Sequence, residues 1–197
     1  MKALHSFKTV ISLFEEMRLF KMSSKNNIYK LVLAGMLLAL AMVLPLLTGQ
    51  IPQIGKMLSP MHIPVLLCGF FCGPWYGLAV GAIAPVLRGL IFGMPVLFPS
   101  GVIMAFELAT YGCVSGLLYK LLPKKIVYIY VTLIAAMLAG RVVWGVVSAI
   151  VYGITKAEYG WNAFMAGAFI NAVPGIILHI VLIPIIVIVL RKYTARD

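Results

Sequence analysis

Arg88, Glu107, Arg141 and Asn171 interrupt otherwise apolar stretches of a 197-residue chain. These residue types bind polar groups. A guanidinium pairs with carboxylate or phosphate through parallel hydrogen bonds, and a carboxamide both donates and accepts. A charge in hydrocarbon is costly and rarely persists without a partner or a water-filled cavity. Two readings follow: a structural salt bridge, with Glu107 joined to one arginine, or a polar pocket that receives a solute. Catalysis is a poor fit. The acidic residues are only Glu15, Glu16, Glu107, Glu158 and Asp197, and one intramembrane carboxylate supplies neither an acid–base pair nor a multi-carboxylate metal site. The sequence contains no Gly-x-x-x-x-Gly-Lys-Ser/Thr loop, no His-Glu-x-x-His and no Gly-x-Ser-x-Gly. Neither an enzyme nor a bound cofactor is expected. Cys68 and Cys72, four apart on an apolar stretch, lack further ligands nearby, so they read as small packing residues and no metal is expected.

The elements that must carry these groups are membrane helices. The chain is 63% hydrophobic and 11% charged, whereas soluble domains carry roughly a quarter charged residues. Apolar runs cover Ile28–Leu47, Met61–Gly73, Pro74–Phe92, Gly101–Leu122, Ile126–Gly153 and Phe164–Leu190. A span needs about 20 residues, so the second run is short, and Gly81, Pro85 and Gly89 interrupt the third. Together these two read as abbreviated spans or a deep hairpin turning at Cys72-Gly73-Pro74. The fold class expected is an all-α integral membrane protein of six transmembrane helices. Residues 28–190 form the membrane domain, with a cytoplasmic segment at 1–27 and a cytoplasmic tail at 191–197.

The net charge of +11 sets orientation rather than nucleic-acid binding. Lysines and arginines gather before the first span, at Lys120, Lys124 and Lys125, and at Arg191, Lys192 and Arg196. The other face offers only Lys56 and Lys156. Both termini are therefore expected in the cytoplasm. At about 1.5 Å per residue, Arg88, Glu107, Arg141 and Asn171 fall in one layer of the outer half. His179 counts deeper and reads as a packing residue. Thr48–Pro60, Gly93–Ser100 and Ile154–Ala163 are the connections able to cover that layer. Tyr159 and Trp161 mark either a lid or an aromatic belt. Phe7, Val10, Ile11, Phe14 and Met17 follow helical spacing, consistent with an interfacial amphipathic helix. On the first span, Gly35 and Ala39 form a small-xxx-small pair and Ala34 and Ala41 recur one heptad apart, a pattern that admits close helix approach.

LVLAGMLLALAMVL (Leu31–Leu44), PMHIPVLLCGFFCGPWYGLAVGAIAPVLRGLIFGMP (Pro60–Pro95) and MAFELATYGCVSGLLY (Met104–Tyr119) resemble the substrate-binding S-components of energy-coupling factor (ECF) vitamin transporters. The resemblance covers roughly Ile28 to Leu190 and is nearest the pantothenate-type group. It implies the substrate-binding component of an ATP-driven importer, in the bacterial plasma membrane, that captures a water-soluble vitamin or precursor. The implied partners are a transmembrane coupling subunit, two ATPase subunits and the lipid bilayer, with no nucleic acid. Solute contacts would come from outer-half residues and loops: Arg88, Glu107, Arg141, Asn171, Trp144, Tyr111, His62, Gln53 and Trp161. Docking would use Ala34, Gly35, Ala39 and Ala41, although the pair here is Gly-x-x-x-Ala rather than Ala-x-x-x-Ala. Two arginines suit an anionic solute; a neutral precursor would instead stack on Trp144, Trp161 or Tyr111. The rival readings are a stand-alone proton-coupled carrier titrating at Glu107 and a non-transporting membrane adaptor.

Overall fold

In the computed structural model, which describes residues 27–46, 59–155 and 173–194, the apolar runs become helices and the described residues contain no strand. In chain order these are α1 (Asn27–Leu46), α2 (His62–Cys72), α3 (Pro74–Phe92), α4 (Val102–Leu121), α5 (Ile126–Thr155) and α6 (Val173–Thr194). The N-terminal 26 residues lie outside the described residues. So do most of the Thr48–Pro60 connection, with Gln50, Gln53 and Lys56, and most of the Ile154–Ala163 connection, with Tyr159 and Trp161. Asn171 and the last three residues are outside as well.

The outward faces identify the solvent. Along α5, Val127, Val131, Ile134, Leu138, Val142, Val146 and Ile150 are all exposed at helical spacing, and Ile177, Val181, Ile185 and Val189 repeat the pattern on α6. In water such stripes would face inward. Here they face lipid, and α1, α3, α5 and the helix built on α4 are long and apolar enough to cross a membrane. The protein is therefore embedded in the bilayer.

The α2 helix differs from the rest. Its 11 residues rise only about 16 Å, half of a hydrocarbon core. Residues His62–Phe70 are buried on every side, against α3, α4 and α6. The chain then reverses at Gly73, whose φ of 99° lies where a Cβ would clash. Pro74 starts α3 at the position where its missing N–H costs nothing. The deep hairpin is thus built at Cys72-Gly73-Pro74. The expected interruption of the third run does not occur: α3 is continuous through Gly81, Pro85 and Gly89. Its glycines serve packing instead. A Cβ on Gly77 would collide with the Gly112 backbone, one on Gly81 with the Leu108 carbonyl, and one on Gly116 would stand 2.5 Å from the Pro74 nitrogen. The α3 and α4 backbones therefore touch along an antiparallel crossing, an arrangement that small residues permit between membrane helices. Ser115 sits in the same seam and donates to the Gly112 carbonyl at 3.2 Å.

Candidate functional site

The crossing of α3 and α4 sets where the α4 side chains go. Glu107 lies 14 residues from the Leu121 end of α4, about 21 Å along the axis. Arg141 lies 15 residues into α5, at a similar height, about 22 Å. The two helices run antiparallel across the Lys124–Lys125 connection, so these side chains meet. Arg141 Nη1 stands 3.2 Å from Glu107 Oε1. One turn further on, the Tyr111 hydroxyl donates to the same oxygen at 2.8 Å. Its ring is seated by Gly140: a Cβ there would collide with the Tyr111 ring.

His62, the first residue of α2, closes the third side. Its Nε2 looks at Glu107 Oε1 from 3.8 Å, too far for a hydrogen bond. Its ring tilts against Tyr111, with centroids 5.2 Å apart. His179 of α6 stacks on His62, with centroids 5.8 Å apart and planes 20° apart. Glu107 and His179 are each 4% exposed and His62 3%; the Arg141 side chain keeps 18%. Five polar side chains from four helices thus form one buried group.

That group is incompletely bonded. Among the described residues, His62 Nδ1 and Nε2, Arg141 Nε and His179 Nε2 are buried without a hydrogen-bond partner. Native interiors leave few such atoms, and a buried polar group without a partner costs about 1–3 kcal/mol. No cluster of three metal-ligating side chains occurs among the described residues, and the group contains no nucleophile paired to a base. What the group can offer is hydrogen bonds.

The site candidates divide. Glu107, Arg141, His62 and Tyr111 come together. Trp144 is half-buried on α5, three residues beyond Arg141. Asn171, Gln53 and Trp161 lie outside the described residues. Arg88 is buried but lies elsewhere: the crossing sets Gly81 beside Leu108, so Arg88 stands about 9 Å further along α3 than the level of Glu107. Its Nη1 donates to the Met42 carbonyl at 2.8 Å, and its guanidinium lies 5.2 Å over the Phe92 ring. No ion pair joins it to Glu107. Arg88→Leu is accordingly expected to reduce unfolding stability by about 1.5–3 kcal/mol, the range for a hydrogen bond from a charged donor. Denaturant unfolding in detergent micelles measures it. Unchanged stability with lost solute binding would make Arg88 a solute contact instead.

His179 of α6, read from the sequence as a packing residue, also borders this group through its stacking on His62. A second histidine on an apolar helix, able to reach the first, was the available signal.

A lipid-embedded helical bundle that encloses a buried polar group defines the class, an integral membrane protein. The chain belongs to the family described as the ECF transporter, substrate-specific component, which matches residues 29–187. It is therefore a transporter component rather than an enzyme. Family membership implies a small-molecule substrate and association with transmembrane and ATPase subunits. No curated protein matches the chain, and no solved structure does.

Proposed function

We propose that the chain captures a water-soluble vitamin or vitamin precursor, with a pantothenate-type solute first in order, and presents it to an ATP-driven coupling module. The observation that carries this reading is the buried group around Glu107, whose unpartnered nitrogens ask for hydrogen bonds that the described protein atoms do not make. Pantothenate offers an amide and hydroxyls beside its carboxylate, so it presents both donors and acceptors. The basic residues before α1, between α4 and α5 and after α6 support cytoplasmic termini. In that orientation the cluster lies in the outer half, where an importer meets its solute.

Docking to the coupling subunit is proposed on the outward face of α1. The four small residues there divide: Ala34 and Ala41 are buried in the fold, while Gly35 and Ala39 are exposed. Nothing lies within 4 Å of where a Gly35 Cβ would stand. Gly35→Leu with Ala39→Leu is expected to abolish uptake by vesicles holding the complete transporter while leaving solute binding to the isolated protein within about twofold, because bulk blocks close helix approach. Uptake that survives both replacements would place docking elsewhere. Accumulation by the isolated protein under an ion gradient would contradict ATP-driven import.

A further inference from the structure

Charge and hydrogen-bonding capacity at the buried cluster point to a narrower class of solute group than the family implies. Glu107 and Arg141 form an ion pair at 3.2 Å, so their charges offset each other. Arg88, the buried cation of α3, is engaged by the Met42 carbonyl and the Phe92 ring. The two arginines that suggested an anionic solute are thus both occupied.

The unpartnered atoms define what is missing. Arg141 Nε–H only donates, so it needs an acceptor. His62 is flanked by the Glu107 carboxylate, the Tyr111 ring and the His179 ring. The tautomer that sets its Nε2–H toward the carboxylate leaves Nδ1 as a lone pair, which needs a donor. His179 Nε2 adds one more unfilled position. A carboxylate or a fully ionised phosphate has no hydrogen to offer Nδ1 and would crowd Glu107 with like charge.

We infer that the solute group seated against Glu107, Arg141, His62 and His179 is uncharged and carries a donor beside an acceptor, as in a carboxamide, lactam or ureide, and that Glu107 is the specificity-determining residue that rejects anions there. The inference rests on the proposed capture of a vitamin-like solute. A pantothenate-type molecule meets the cluster with its amide and hydroxyl portion, its carboxylate lying away from Arg141.

The test is competitive binding by the purified full chain in lipid nanodiscs. The probe is an equimolar mixture of water-soluble vitamins together with the amide or alcohol counterpart of each acid, read by mass spectrometry after dialysis. The wild-type protein is expected to retain at least one compound bearing a neutral donor–acceptor group, and to bind the neutral counterpart of any acid at least as well as the acid. Glu107→Gln frees the positive charge of Arg141 and is expected to shift that ratio toward the acid by about tenfold or more. Unfolding of the ligand-free variant shows whether it is folded; if it is not, the wild-type ratio decides alone. Wild-type preference for the acid by about tenfold would overturn the inference and leave vitamin capture standing. Retention of no compound would overturn vitamin capture, and the inference with it. An unchanged ratio in folded Glu107→Gln would remove Glu107 from specificity.

Discussion

A chain carrying Arg141→Leu is expected to lose about 3–5 kcal/mol of unfolding stability, the usual consequence of removing one partner from a buried ion pair. The lower end applies, because the Arg141 side chain retains 18% exposure while Glu107 is almost fully enclosed. The loss arises less from the missing attraction than from the carboxylate left behind. Glu107 would keep only the Tyr111 hydroxyl at 2.8 Å, with His62 beyond hydrogen-bonding distance at 3.8 Å. Replacing both partners, Glu107→Leu with Arg141→Leu, removes that stranded charge, so the double variant should be more stable than Arg141→Leu alone. This non-additivity distinguishes a charge pair from two independent packing contacts. Denaturant unfolding of the ligand-free protein in micelles measures all three chains. A double variant less stable than either single one would show that the two side chains do not act as a pair.

The six described helices, and the ends of α2, α3 and α4, were legible in the sequence because hydrocarbon allows few other solutions: backbone polar groups must be satisfied within each segment. Gly73-Pro74 marks its own turn, since one residue needs a positive φ and the next cannot donate. Height was legible for Glu107 and Arg141, because rise per residue is fixed. The register between helices and the rotation about each axis were not. Arg88 and Glu107 count to one layer, yet the crossing sets Glu107 beside the middle of α3, short of Arg88, and one side chain turns to the α1 backbone and the other to α5. That difference follows from the contact between α3 and α4, and the contact follows from glycines. Gly73, Gly77 and Gly81 recur every four residues. Read as a helical stripe, they announce a close crossing; read as breaks, they conceal it. The stacking of His179 on His62 was not legible, because it depends on how α6 packs against α2.

The glycine seam gives the sharpest test of the fold, because one substitution should act with opposite signs at two positions. Gly→Ala on an exposed helical face stabilises by as much as about 1 kcal/mol, since alanine restricts the unfolded backbone. Gly35 meets that condition: it is exposed, and a Cβ there has no neighbour within 4 Å. Gly112 does not. A Cβ there would collide with the Gly77 carbonyl and Cα. These are main-chain atoms, so no side chain can rotate away, and Gly77 offers nothing smaller as compensation. The helices must separate instead. Overpacking ordinarily costs about 1–3 kcal/mol, and Gly112→Ala is placed at the upper end because both backbones move. The effect reaches the site. Glu107 and Tyr111 ride on α4, while His62 belongs to the hairpin that α4 packs against through Gly69, Leu66 and Pro74. Opening the seam therefore lengthens the 3.8 Å approach of His62 to Glu107 and is expected to weaken solute binding together with stability. Gly35→Ala should leave binding unchanged. Unfolding and binding measured on the two variants under one set of conditions decide the matter: equal effects at the two positions would mean that α3 and α4 do not meet backbone to backbone.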